Sequence, residues 1–222
     1  LGDCAYVAGY YGGKDRLAGM AVIDASNPSN PELVKLYPGT PGTRESQVEA
    51  NETRSLVVVM PFSHQATPYG DPPGPSLLRI YDASDDCRNP VLVGTYDFND
   101  GEVPGNIVTH EHRISDDGKT IYATALASDR SDPVDALMAI DVTDPSQPNL
   151  IATWDLSHEP GMPNSGMHDL DLSSDGNRAY TNTYWHIDNV RHQGLSILDL
   201  SEVQGRQSDP EIRRISSFNW GP

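Results

Sequence analysis

Hydrophobic and polar positions alternate along this chain in short runs, and the runs return at a fixed interval. AVIDAS at 21–26, RIYDAS at 79–84, AIDVT at 139–143 and ILDLS at 197–201 each close a β-prone run with an aspartate. The aspartates, Asp24, Asp82, Asp141 and Asp199, lie 58, 59 and 58 residues apart. A constant period of this size marks one supersecondary unit copied in tandem. Matching runs keep step with it: CAYVA, SLVVV, TIYAT and RAYTN align Tyr6, Val57, Tyr122 and Tyr180. Two of these come after SDDGK (115–119) and SSDGN (173–177), and NET (51–53) holds the same place in another copy. Asp-Gly between β-prone runs is a hairpin signal. After each aspartate come a proline (Pro31, Pro90, Pro148, Pro210) and one further strand.

Each unit therefore reads as four strands, A to D, with a hairpin between A and B and a short turn between C and D. Nothing carries helical periodicity long enough to compete. The expected fold is all-β: a β-propeller of four-stranded antiparallel blades. The blades run over about 1–37 (partial), 45–96, 108–155 and 166–216. A β-solenoid has shorter coils, and a sandwich would not repeat its sequence. The text opens at strand B of blade 1, so the expectation is a portion of a larger ring of six to seven blades; a four-bladed ring is the smaller alternative.

The phrase formed by a hydrophobic pair, Asp-x-Ser/Thr, Asp-Pro or Asn-Pro and then Pro-x-Leu-Val resembles the LVIVD repeat. AVIDASNPSNPELV, AIDVTDPSQPNLI and LSILDLSEVQ carry the likeness, and RIYDASDDCRNPVLV carries it with an insertion at Cys87. Blade 4 departs from it after Asp199, where EVQGRQSDP lengthens the C–D turn. The resemblance implies a bacterial or archaeal secreted, periplasmic or cell-surface propeller and leaves its function open.

Charge narrows the partners. There are 32 acidic and 15 basic residues, a net charge of −17. Phosphate binding needs a basic patch, so nucleic acid is excluded as an expected partner. An extracellular protein, a glycan or a small molecule remains. No transmembrane run is present. The acidic turns match neither an EF-hand nor an RTX nonapeptide, which disfavours calcium. The two cysteines, Cys4 and Cys87, map to one face of neighbouring blades. That placement is compatible with a disulfide and, with it, an oxidising compartment.

All seven histidines map to the other face or just inside it. His64 lies in the B–C loop of blade 2, His158 in the D–A loop before blade 4, and His186 and His192 in the B–C loop of blade 4. His110 and His112 open strand A of blade 3, and His168 opens strand A of blade 4. His110 and His168 align on their Asp-Gly turns, with Glu45 in the matching place of blade 2. Strand A is innermost, so one ligand per blade there builds an axial site of two imidazoles and a carboxylate. Such a set suits Zn, Mn, Fe or Cu. Strand alternation points His112 the same way as His110, as an acid–base candidate; Glu111 points the other way, to orient a histidine or serve as an acid–base group itself. The plainer reading makes these histidines structural or channel-lining. Long B–C loops add Tyr69, Tyr184 and Trp185 as flat surfaces for a sugar or peptide; the alternative is that they cap strand ends. Two functions fit: a binding scaffold with a metal on the axis, or a metal-dependent lyase, hydrolase or oxidoreductase on the same face.

Overall fold

The computed structural model describes residues 1–9, 19–39, 44–62, 76–98, 107–127, 136–156, 166–187 and 190–221. Their strands form four antiparallel sheets in chain order. Blade 1 is β1 (Cys4–Ala8), β2 (Gly19–Asp24) and β3 (Glu32–Pro38). Blade 2 is β4 (Arg44–Asn51), β5 (Leu56–Phe62), β6 (Leu77–Asp82) and β7 (Val91–Asp97). Blade 3 is β8 (Ile107–Ile114), β9 (Thr120–Ala127), β10 (Ala136–Asp141) and β11 (Asn149–Asp155). Blade 4 is β12 (Gly166–Leu172), β13 (Arg178–Ile187), β14 (Val190–Asp199) and β15 (Arg213–Gly221). A single helical turn, α1 (Ser201–Gln204), occupies the lengthened C–D connection of blade 4.

The repeated aspartate has a local job. Its carboxylate accepts the main-chain N–H two residues on: Ser26 on Asp24 at 2.9 Å, Ser84 on Asp82 at 2.8 Å, Thr143 on Asp141 at 2.8 Å and Ser201 on Asp199 at 2.9 Å. These Asx turns close strand C and start the return. Asn27, Asp86 and Asp144 repeat the device for Ser29, Arg88 and Ser146. The A–B hairpins of blades 3 and 4 turn through Gly118 and Gly176, at φ +67° and +70°.

Between blades lie three apolar cores. Met20, Val22, Val57 and Val59 join blades 1 and 2. Val58, Leu78, Ile80, Ile121 and Met138 join blades 2 and 3. Leu137, Trp154, Leu170 and Leu198 join blades 3 and 4. Polar ties reinforce every junction on the turn face. Tyr6 donates to the Cys87 carbonyl at 2.8 Å, and Arg88 pairs with Asp24 at 2.9 Å. Arg54 reaches three carbonyls of blade 3, Gly118, Val142 and Thr143. Gln204 donates to the Tyr122 hydroxyl at 2.7 Å, and Arg206 pairs with Asp141 at 3.2 Å. The cysteines form the expected disulfide, Cys4–Cys87, across the first junction.

Candidate functional site

The innermost strands β4, β8 and β12 slip their ladders at one height. Pairing runs Glu45–Pro61 then Gln47–Met60 in blade 2, Thr109–Ala125 then His112–Ala123 in blade 3, and Met167–Thr183 then Asp169–Asn182 in blade 4. These are β-bulges, which re-aim side chains at barrel rims and sites. Each inner strand closes its hairpin alike, through Ala50–Val57, Ile114–Ile121 and Leu172–Ala179. Counting back from those pairs, His110 and His168 share their position with Ser46. Glu45 stands one residue earlier, beside Thr109 and Met167, so its match to the histidines is corrected. Asn51 closes the turn as Ser115 does, not Asp116, and this one-residue offset also makes Val58, rather than Val57, the counterpart of Tyr122 and Tyr180.

The bulges bring His110 and His168 together from adjacent blades. Their ring centroids are 3.8 Å apart and the planes tilt by 44°. His110 is half-buried and His168 exposed. Glu111 Oε1 stands 3.3 Å from His110 Nδ1. The Glu111 main chain is fixed by Thr124, whose Oγ1 accepts its N–H at 3.0 Å.

His112 does not point with His110. The bulge between them breaks the alternation, and His112 takes the apolar place held by Val48 and Leu170. Its side chain is 0 % exposed, so the ring does not reach a substrate surface. Burial foremost, then the Arg113 charge, pulls its pKa down to about 3, with the Val58 main chain acting the other way. Among the described residues, neither ring nitrogen has a hydrogen-bond partner of good geometry.

Sequence reasoning missed the polar row beside it. Gln47 Oε1 accepts the His112 N–H at 2.6 Å, and Glu49 Oε2 accepts the Ile114 N–H at 3.0 Å. Blade 2 thus ties itself to the inner edge of blade 3. Glu49 also lies 4.0 Å from His112 Nε2. Burial pushes its carboxyl up to about 7, Arg113 and the Ile114 N–H opposing and Asp171 adding. Arg113 extends the row to blade 4, 4.0 Å from Asp169 and 3.6 Å from Asp171. The signal was available as long polar or charged residues two apart on each inner strand, Gln47 and Glu49, Glu111 and Arg113, and Asp169 and Asp171.

Tyr184, Trp185, His186 and His192 lie on strands rather than in a loop. The β13–β14 ladder continues through Tyr184–Gln193, Trp185–His192 and His186–Arg191 to Ile187–Val190. Aromatic and β-branched residues there favour ladder over loop. The side chains of these four and of Glu45 lie outside the described residues, as do His64, Tyr69 and His158 altogether. Among the described residues, no three His, Cys, Asp or Glu side chains converge as a metal site. No helix among them is long and apolar enough to cross a membrane.

A family model described as the LVIVD repeat matches residues 1–38 and 132–155. No curated protein matches the chain by sequence. A solved protein from Lactobacillus plantarum overlays 99% of this chain and 54% of its own, at TM-score 0.65 and 17% identity. A hypothetical selenium-binding protein from Sulfolobus tokodaii overlays 94% and 48%, at 0.63 and 14%. The β-propeller domain of a Myceliophteria thermophila protein overlays 93% and 56%, at 0.56 and 13%. The chain spans about half the length of each, and identities this low speak for the fold alone. Four blades in register show a β-propeller fold, and the LVIVD repeat is matched over blade 1 and the second half of blade 3.

Proposed function

We propose that this protein is an extracellular binding scaffold whose ligand sits on the rim that carries His110 and His168. One observation carries the reading: two bulge histidines at the same place in adjacent blades meet ring to ring at 3.8 Å. A half-buried imidazole beside an exposed one on a rigid scaffold supplies donors, acceptors and flat surface to a protein, glycan or small molecule. The Cys4–Cys87 disulfide supports an oxidising compartment, in keeping with secretion or surface display.

A second reading, a metal-dependent enzyme on the same rim, is favoured by Glu111 beside His110 Nδ1. His110 and His168 then hold a divalent ion (Zn, Mn, Fe or Cu), with Glu45 or a residue from elsewhere completing the set. An ion so held polarises a substrate oxygen or activates water.

Elemental analysis after loading with each of these ions, on the unaltered chain and on His110→Ala with His168→Ala, separates the readings. Stoichiometric metal lost in the double variant supports the enzyme reading. No retained metal, with glycan or peptide binding abolished by the same double variant, supports the scaffold alone. Binding and metal content both unchanged in the double variant overturn the site.

A further inference from the structure

The C–D turns of blades 2 and 3 sit tightly against the outer strand of the blade before them. Lys35 of β3 donates to Asn89, and Tyr37 donates to the Pro90 carbonyl at 2.5 Å. Gly94 of β7 takes the place that Lys35 holds in blade 1, and a Cβ there would come within 1.8 Å of the Pro145 carbonyl oxygen. Blade 3 also keeps a small residue at that place, Ala152. At the third junction, however, the connection is the lengthened one of blade 4. Between it and β11 lies a cavity of about 270 Å³, open to solvent on the turn face.

Its floor is apolar: Ile151 from blade 3, with Val203 and Pro210 from blade 4. Its rim is charged: Asp141 from blade 3, with Arg206 and Asp209 from blade 4. Arg206 and Asp209 stand at φ +52° and +55°, two of the three non-glycine residues at positive φ among the described residues. Such conformations persist where the surroundings hold them, and they gather at ligand sites.

The rim has acceptors to spare. Asp141 Oδ1 takes the Thr143 N–H, the Thr143 hydroxyl and the Arg206 guanidinium. Among the described residues, no donor meets Asp141 Oδ2 or the exposed Asp209 carboxylate. One guanidinium stands against two carboxylates, so the rim keeps a negative charge, in a chain whose net charge is −17. That field draws cations and disfavours anions. Two carboxylates over an apolar floor are too few for calcium, which takes about six to eight oxygens.

We propose that this cavity binds a primary ammonium carried on a short aliphatic stem, either a free alkylamine or a lysine side chain. The stem lies on Ile151, Val203 and Pro210, and the ammonium donates to Asp141 Oδ2 and Asp209. An ammonium is a compact charge with three rotatable donors, which suits acceptors on two sides of an opening better than a planar fork does. The volume falls below the range of drug-sized pockets, as a stem of a few carbons requires. The cavity opens on the turn face, away from the rim of His110 and His168, and its occupant does not depend on the function proposed for that rim.

NMR titration of the isotope-labelled chain with n-pentylamine and with Nα-acetyl-lysine amide tests this. Amides of Ile151 and of residues 203–209 should shift saturably. n-Pentanol, the same stem without the charge, should bind at least about tenfold more weakly. Asp209→Asn keeps the shape and tolerates positive φ, and it should raise the dissociation constant about fivefold. Arg206→Gly removes the competing cation and should lower it. Circular dichroism checks that both variants fold. Binding of pentylamine alone supports a free amine as the ligand, and binding of the lysine derivative alone supports a protein side chain. No saturable shift with either probe overturns the proposal. So does pentanol binding as tightly as pentylamine, an affinity that both folded variants leave unchanged, or a set of shifts confined to the neighbourhood of His110.

Discussion

Arg54 lies directly across Gly118. Its Nη1 donates to the Gly118 carbonyl at 3.0 Å, while a Cβ added at Gly118 would come within 2.9 Å of Arg54 Cγ and Cδ and 2.7 Å of Asn51 Oδ1. The glycine turns its own hairpin and makes room for the neighbouring blade's arginine. Gly118→Ala should therefore cost more than strain at φ +67° alone, about 2–4 kcal/mol. Gly176→Ala carries the same strain but meets only the Gln204 side chain, at 3.1 Å and beyond, and should cost about 1–2 kcal/mol. Urea unfolding of the two variants checks the order; equal losses would refute the steric role of Arg54.

Arg54→Ala removes a cation that binds three carbonyls across the junction of blades 2 and 3. The expected loss is about 2–3 kcal/mol, since charge-assisted bonds lie at the strong end of the range. Arg54→Lys should recover only part of it, because a single ammonium cannot reproduce the planar fork. Thermal unfolding of the pair of variants reads the difference.

His112→Leu should stabilise the protein at pH 7 by about 1–2 kcal/mol. The substitution puts in blade 3 the side chain that blade 4 has at the same place, Leu170, and removes two buried nitrogens that lack good partners. A loss of stability instead would mean that the ring makes contacts that outweigh its burial.

Two buried groups give stability opposite slopes against pH. The folded His112 resists protonation down to about 3 while the unfolded chain takes the proton near 6.5, so stability falls as pH drops below 6.5. The folded Glu49 keeps its proton up to about 7 while the unfolded carboxyl loses it near 4.5, so stability falls as pH rises across that window, by up to about 3 kcal/mol. Unfolding free energy measured from pH 3 to pH 8 should lose its acid-side decline in His112→Leu and its decline between 4.5 and 7 in Glu49→Gln.

Reducing the Cys4–Cys87 bridge, or replacing both residues by serine, should cost about 2–4 kcal/mol, because it frees a loop of 83 residues in the unfolded chain. Unfolding with and without reductant reads the effect directly. Insensitivity to reductant would show that the thiols are not joined.

What the sequence revealed divides along physical lines. The four blades were legible because Asp24, Asp82, Asp141 and Asp199 each do the same local work, and a turn that needs a carboxylate leaves it in the text. The bridge between Cys4 and Cys87 was compatible with blade geometry before any distance was known. The bulges did not show. A bulge adds one residue without any compositional mark, so alternation carried His112 to the wrong side, while the blade 2 turn, closed by Asn51 without an Asp-Gly pair, moved Glu45 one place out of line. The reach of β13 and β14 through Trp185 and His192 was hidden too, since histidines and a tryptophan near a turn read as loop until the pairing is seen. The Gln47–Glu49–Arg113 row lacked a motif; its meaning lies in which blade edge each side chain meets.

Blade 4 shows what the aspartate turn permits. Asp199 still holds the Ser201 N–H at 2.9 Å, yet the chain then enters a helical turn instead of the Asx turn that Asn27, Asp86 and Asp144 make. Strand C is terminated before the connection begins, so the connection is free to change in length and shape without altering the blade. The exposed stretch from Asn27 to Asn30, past the Asp24 turn, is therefore a port where new sequence, a recognition loop or a reporter peptide, can be spliced in while the sheet on either side keeps its register.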